Sequence, residues 1–361
     1  MLLGFKTELK ANNSQRSQFA RHCGVARHAW NWGLFITKNV LDYNKANPDS
    51  KIKFPTAIDL HKLLVKLVKP ENPWYYECSK STPQQALMAL RESWKRCFNK
   101  TAGVPTFKKK GKRDSFTLEG TVKILGSNQI KVPVIGVLKT YERLPQLQPK
   151  SVTISRQSER WFISFRFEVN EQNLNNRSVV GVDLGIKNLA TLSTGEVVSG
   201  AKSYRKYGEK LAGMQYLNRH KIRGSRNWKQ AQIKIATLHR KIANIRSDTL
   251  HKVTTLLAKN HGVIVIEDLN VSGMLANHKL AAAIADMSFF EFRRQLTYKC
   301  QLYGATLAIV ERWFPSSKLC SNCGSKKETL LLSERVFECN SCGNRQDRDL
   351  NAAINLQKAV S

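Results

Sequence analysis

The chain opens on an alternating segment, Leu2-Leu-Gly-Phe-Lys-Thr-Glu8, whose period of two predicts a short strand over residues 1–10. The pattern then turns helical. Over Ser14–Val40 the apolar positions Trp30, Leu34 and Val40 fall near one face, and a polar run rich in Asn, Asp and Lys at 44–53 breaks it. A second helix is expected over Ala57–Val68, and Pro70, Pro73 and Pro83 punctuate the turns that follow. A third, over Gln84–Phe98, carries Leu87, Leu90, Trp94 and Phe98 at helical spacing. Residues 12–100 thus read as a small helical bundle inserted after one strand.

From residue 116 the period returns to two. Phe116–Leu118, Val122–Leu125, Gln129–Val132, Gly136–Lys139, Ser151–Ser155 and Arg160–Val169 are short strands separated by turn residues. Five or six of them predict a small barrel of the oligonucleotide-binding sort, built from residues 1–11 and 101–175. Asn170–Asn176 is polar and reads as a linker. Beyond it strands and helices alternate. Val179–Asp183 is a buried strand running into a hairpin, and Trp228–Asn260 is a long helix with Ile235, Leu238, Ile242 and Ile245 on one stripe. The stretch from His261 to Leu269 is a second buried strand, and Ser288-Phe-Phe-Glu291 has the form of a capping box before a helix that stops at Gly304. Ala305–Val310 is a further strand. Residues 176–313 with 346–361 are therefore α/β, and the whole chain is a multidomain α+β protein without an internal repeat.

Charge narrows the function classes. The sequence holds 59 Lys+Arg against 27 Asp+Glu, a net +32 in 361 residues. Self-repulsion on that scale opposes folding, and nucleic acid is the partner that answers it. The densest local run is Lys108-Lys109-Lys110-Gly-Lys112-Arg113, between Phe107 and Phe116; the five basic residues are candidate phosphate contacts and the two rings candidate strand anchors. No apolar run approaches the ~20 residues of a membrane span, and the start lacks the apolar stretch of a signal peptide, so a soluble cytoplasmic protein is expected.

Two knuckles, Cys320-Ser-Asn-Cys323 and Cys339-Asn-Ser-Cys342, aim four thiolates at one point, the donor set of a closed structural Zn²⁺ site; residues 314–345 form the expected ribbon. Gly324 and Gly343 stand where the backbone must turn behind the metal. Cys23, Cys78, Cys97 and Cys300 share no spacing and read as core thiols. A closed zinc shell does no chemistry, so the chemistry is sought beside it. Asp183 lies inside an apolar strand, where an acid is expensive unless paired or metal-bound. Glu267 ends a second such strand, and Asp349 opens a short amphipathic helix, with Asp347 as a second choice. Should the strands be neighbours and the helix cross them, three carboxylates meet, and such hard oxygen ligands suit Mg²⁺ or Mn²⁺ and phosphodiester hydrolysis.

These motifs resemble a known family. Gly181-Val-Asp183-Leu-Gly, Ile266-Glu267-Asp268-Leu-Asn and Asp347-Arg-Asp349-Leu-Asn-Ala-Ala, with the four-cysteine ribbon before the last, look like the RuvC-like (RNase H-fold) nuclease core of TnpB, the transposon-encoded relative of type V CRISPR effectors. Gly24-Val-Ala-Arg-His-Ala-Trp-Asn, Val104-Pro-Thr-Phe-Lys-Lys-Lys-Gly and Phe314-Pro-Ser-Ser-Lys-Leu-Cys320 extend the likeness along nearly the whole chain. The resemblance implies a guide RNA from the transposon end, double-stranded target DNA opened beside a short motif, and cutting at one RuvC-like site with Asp183, Glu267 and Asp349 as catalytic acids. It implies a wedge role for the barrel, a recognition role for the bundle and target-strand loading for the ribbon. Arg335 offers either a phosphate contact or a surface pair with a neighbouring Glu. A nuclease-inactive RNA-guided repressor and a compact type V effector are the alternatives, and the intact acids speak against the first.

Overall fold

The computed structural model describes residues 1–172, 178–331 and 333–360, so most of the linker expected at Asn170–Asn176 lies outside the described residues. The chain divides into two compact units, Leu2–Val169 and Asn170–Ser361.

In the first unit β1 (Leu2–Glu8) leads into α1 (Asn13–Ala46). Asn12 caps that helix by a true capping box: its Oδ1 accepts the Gln15 N–H at 2.8 Å while Gln15 Oε1 accepts the Asn12 N–H at 3.1 Å. Next come α2 (Ala57–Leu63), continued through a wide turn at Leu64–Val68, and α3 (Ser81–Phe98). The strands are β2 (Ser115–Glu119), β3 (Lys123–Gly126), β4 (Gln129–Val132), β5 (Gly136–Lys139), β6 (Ser151–Gln157) and β7 (Arg160–Glu168). They form two antiparallel sheets, ordered β1-β7-β6-β2 and β3-β4-β5, linked by a bridge between Leu9 and Thr140. β1 does join the later strands, pairing along its length with β7. One core serves both sheets and the helices, with Phe19, Leu34, Leu87, Leu118, Ile130 and Ile163 among its buried side chains.

The second unit is a five-stranded sheet covered on both faces. Its strands are β8 (Val179–Asp183), β9 (Ala190–Leu192), β10 (Val197–Val198), β11 (Val263–Glu267) and β12 (Thr306–Val310), in spatial order β10-β9-β8-β11-β12. β8, β11 and β12 are parallel, whereas β9 pairs antiparallel with both β8 and β10. Between them lie α4 (Ser203–Arg219), α5 (Arg226–Asn260), α6 (Val271–Ala276), α7 (Ala281–Met287) and α8 (Phe289–Tyr303). A two-stranded ribbon, β13 (Val336–Glu338) with β14 (Arg345–Asp347), runs directly into α9 (Arg348–Lys358).

One expectation is corrected, and one helix carried no expectation. The box at Ser288–Glu291 does not form. Ser288 also ends α7, so it sits at φ 57° and its hydroxyl donates to Ala285 O, while Glu291 binds Arg294 and Gln295. Helix α4 escapes the hydrophobic pattern because its buried positions include Ser203 and Asn218 and it carries Gly208 and Gly213. The buried carboxylate of Asp286 anchors its start instead, accepting from the Ser203 hydroxyl at 2.9 Å and the Tyr204 N–H at 3.0 Å.

Candidate active site and metal centre

The positions of the acids follow from strand parity. The parallel register pairs Val263 with Val179, Ile264 with Val180 and Val265 with Gly181; continued two residues, it sets Glu267 level with Asp183 at the carboxyl ends of adjacent strands. Successive strand side chains point to opposite faces. Val180, Val182, Ile264 and Ile266 pack into the core that includes α5 and α8, while Val265 packs with Leu356 of α9. Asp183 and Glu267 share the parity of Gly181 and Val265, so they belong to the α9 face. Asp268, one residue on, belongs to the other. There Arg293 of α8 and Arg312 each approach it at 2.6 Å, holding its carboxyl below the usual range.

Gly181 is what lets α9 reach the strand ends. A Cβ at this position would stand 1.9 Å from Ala353 O and 2.6 Å from Gln357 N, so no larger residue fits beneath the helix. Gln357 Nε2 also donates to Val179 O at 3.0 Å. Asp349 lies one turn before Ala353, towards the ends of the strands. Asp347 is committed elsewhere: as the N-cap it accepts the N–H groups of Asp349 at 2.9 Å and Leu350 at 3.1 Å.

The three acids feel one another. The Asp183 carboxyl is pushed up to about 8, first by burial and then by the charges of Glu267 and Asp349, with Arg348 pulling the other way. Neither Asp183 nor Asp349 makes an ion pair or side-chain hydrogen bond to a described residue. Glu267 Oε1 accepts a short hydrogen bond from the buried Ser316 hydroxyl. A half-buried acid facing two more carboxylates, with no ion pair to a described cation, is the environment that a divalent ion relieves.

The four thiols come together. Among the described residues Cys320, Cys323, Cys339 and Cys342 are the one group whose ligand atoms all lie within 4.8 Å of each other. The Sγ pairs Cys320–Cys342 and Cys323–Cys339 are each 3.6 Å apart. A tetrahedron with Zn–S arms of ~2.3 Å has edges of about 3.8 Å, so the set suits a structural metal such as zinc. The knuckles repeat one geometry: Gly324 (φ 75°) donates to Cys320 O at 2.9 Å, and Gly343 (φ 70°) to Cys339 O at 3.0 Å. Backbone N–H groups of Cys342 and Ser341 lower the Cys339 thiol, which favours the thiolate that a metal needs.

Over 366 residues the chain is 34% identical to a Streptomyces pristinaespiralis protein named as a candidate RNA-guided DNA endonuclease, a match covering 98% of this chain and 88% of that one. The chain belongs to the TnpB family. A second family member, InsQ of Escherichia coli K12, named in the same way, is 34% identical over 99% of this chain and 92% of its own. Family models match at residues 162–278 (the IS605 OrfB model, described as a probable transposase), 289–356 (Cas12f1-like, TNB domain) and 1–45 (helix-turn-helix domain). Among solved structures, a Cas12f1–sgRNA–target DNA complex aligns over the full length of both chains at 15% identity with a TM-score of 0.39.

The basic run is less uniform than its sequence. Lys109, Lys110, Lys112 and Arg113 are exposed. Lys108 is also exposed but lays its ammonium 3.7 Å above the Trp30 ring, and burial lowers it to about 8. Asn31 fixes the same residue, exchanging hydrogen bonds with its N–H at 2.8 Å and its carbonyl at 3.0 Å. Phe116 is a buried anchor on β2, as expected, but Phe107 is 49% exposed because it precedes the first strand of this stretch. Arg335 makes no pair with its neighbour, for Glu334 is bound by Lys327 at 3.1 Å.

Several functional residues carried little signal. Ser316 lies within the Phe314-Pro-Ser-Ser stretch but gives no hint of Glu267 as partner. Asn351 and Asn355, four apart on the apolar face of α9, are buried: Asn351 Nδ2 donates to Leu319 O at 2.7 Å while its Oδ1 accepts the Ser321 N–H at 2.9 Å, and Asn355 Nδ2 donates to Ser316 O at 2.8 Å. They tie the first knuckle to the helix that carries Asp349. Two amides on an apolar helical stripe were the available clue.

Proposed function

We propose that this protein is an RNA-guided DNA endonuclease that hydrolyses phosphodiester bonds at Asp183, Glu267 and Asp349, with Mg²⁺ or Mn²⁺ held by these three and Zn²⁺ by the four cysteines. What supports the reading is the strand register that sets Glu267 level with Asp183, with α9 carrying Asp349 towards the same strand ends, on a chain of net charge +32; burial and the charges of Glu267 and Asp349 push the Asp183 carboxyl up. A bound divalent ion supplies activation of water and stabilisation of the departing oxygen. The residues themselves do the rest. Asp183, Glu267 and Asp349 would hold the ion through their carboxylate oxygens, Ser316 orients Glu267, and Gly181 and the Asp347 cap set the distance and angle of Asp349. In the reaction a water oxygen bonds to phosphorus, the bridging P–O bond breaks, and the leaving nucleotide oxygen takes a proton.

Family membership supports the remaining parts: a guide RNA from the transposon end, a double-stranded target opened beside a short motif, and work in the cytoplasm on nucleoid DNA. It also supports an RNase H-like reading of the five-stranded sheet, an oligonucleotide-binding-type wedge for the two antiparallel sheets, recognition by α1–α3 and a loading role for the ribbon. No helix among the described residues is long and apolar enough to cross a membrane. The test is expression with flanking genomic DNA, sequencing of the RNA that copurifies, and Mg²⁺-dependent cutting of a target matching that RNA. A discrete RNA with guided cutting that Asp183→Ala abolishes is the expected result; heterogeneous RNA, or cutting that survives the substitution, refutes it. A guided complex that binds without cutting would instead select the repressor reading.

A further inference from the structure

The carboxyl ends of parallel strands are where open α/β sheets bind ligands, and Glu267 at one of those ends borders both the α9 side and a cleft on the other side. On the α8 side lies a half-open cleft of about 510 Å³, within the size of small-ligand sites. Its walls are apolar: Leu184 follows Asp183, Leu269 and Leu275 follow Glu267, and Phe289 and Phe290 open α8. Phe289 is buried and serves as the floor, whereas Phe290 is 70% exposed at the cleft without a packing partner in the core. Arg293 and Arg312 line the cleft and share the single carboxylate of Asp268, so two guanidinium groups stand side by side there. Asn270 and Ser272 add polar edges.

We propose that this cleft holds one unpaired nucleobase of the strand being cut, stacked on Phe290, with Arg293 and Arg312 facing the neighbouring phosphate. The inference rests on the nuclease reading and deepens it. Three features select a nucleobase over a peptide or lipid chain. The exposed ring offers a flat apolar face, the two guanidinium groups supply N–H donors, and Glu267 itself lines the cleft, so a nucleotide whose phosphate sits at the carboxylates has its base within reach. Aromatic stacking of this sort tolerates any base, as a cutter directed by a guide requires. Parity divides the labour: the side chain of residue 267 handles phosphate, and the next residue, Asp268, fixes the arginines that hold the nucleotide.

The test is photo-cross-linking of a single-stranded oligonucleotide carrying one 5-iodo-deoxyuridine to the full-length protein, with Ca²⁺ present, followed by mass-spectrometric mapping. The proposal expects an adduct on the peptide containing Phe290, lost in Phe290→Leu and kept in Phe290→Trp. It also expects Phe290→Leu to raise the DNA concentration for half-maximal cutting about five- to a hundredfold, the range of one lost stack, with Phe290→Trp close to the parent. Adducts confined to other segments, or wild-type half-saturation in Phe290→Leu, overturn it. Should the parent protein cross-link at Phe290 yet fail to cut any guided target, the function fails and the base site stands.

Discussion

Replacing Asp183 by Asn should make the metal-free protein more stable while abolishing cutting. The carboxyl rises from an ordinary 3.8 to about 8 in the fold. Each unit is worth about 1.4 kcal/mol, so a rise of about four units corresponds to at most about 6 kcal/mol at pH values above 8. At pH 7 the folded carboxyl is still protonated and the unfolded one ionised, which confines the penalty to about three units, or about 4 kcal/mol. Relaxation of the site and penetration of water reduce it further, to about 2 kcal/mol.

The sign follows from linkage. A carboxyl with a raised folded pKa binds more protons folded than unfolded, so its contribution is fully present below about pH 4 and is lost as pH climbs to about 8. The asparagine variant does not titrate and should show a flatter profile across that window. Urea unfolding followed by tryptophan fluorescence, in buffers stripped of divalent ions other than zinc, between pH 5.5 and 8.5, measures both. The parent should lose about 2 kcal/mol relative to Asp183→Asn between the two ends. Equal slopes, or an asparagine variant less stable at pH 8.5, would show that Asp183 is not the half-buried, crowded acid described. The same proton makes ion binding pH-dependent: the apparent Mg²⁺ affinity of the parent should strengthen with pH up to about 8 and level off there.

Other substitutions test other parts of the arrangement. Gly181→Ala must displace the α9 backbone and should cost about 3 kcal/mol or more, with cutting lost; calorimetry and a cleavage assay decide, and an unaltered protein would disprove the close approach. Asn351→Ala leaves the buried Ser321 N–H of the first knuckle unpartnered, while Leu319 O keeps its bond from Asn355, at about 1–3 kcal/mol, and should weaken cutting while metal analysis still finds about one zinc per chain. Ser316→Ala should lower the cutting rate several-fold with nucleic-acid binding unchanged, because it frees Glu267 without removing it. Replacing Lys109, Lys110, Lys112 and Arg113 together by Ala should reduce the slope of log affinity against log salt by about 3, at 0.7–0.9 per lost phosphate contact; adding Lys108→Ala should change it little further, since that ammonium lies over Trp30.

The sheet of the second unit was legible because its strands are buried on both faces and so read as unbroken apolar runs, Val179–Asp183 and Val263–Glu267. The thiols were legible because a knuckle carries its geometry in four residues. Less could be read where partners are distant in sequence. The fate of Phe107 depended on where β2 begins, that of Lys108 on Trp30, 78 positions earlier, and α4 is held by Asp286 rather than by an apolar stripe. The antiparallel strands were placed to within a residue or two, but alternation says which face of a strand is wet and leaves open whether six strands make one ladder or two.

Two assignments among neighbouring acids follow from the sequence pattern. Glu267 and Asp268 are adjacent acids, and a single hydrophobic run fixes their parity: Val263 and Val265 share a face with Glu267, and Ile264 and Ile266 share one with Asp268. Likewise Asp347 stands two residues before Asp349, where an N-cap belongs, so the cap and the free carboxylate could be assigned before any contact was known. What no run of residues discloses is why α9 sits where these assignments matter. Its 11 residues must meet four demands at once: a cap, a free acid, two buried amides gripping the knuckle, and a smooth Ala352–Ala353 surface. That last surface has meaning only against Gly181, some 170 positions away, whose missing side chain admits the helix. The sequence motif around Asp183 therefore carries two separate instructions, an acid at the strand end and, two residues earlier, an absence that admits the helix carrying Asp349.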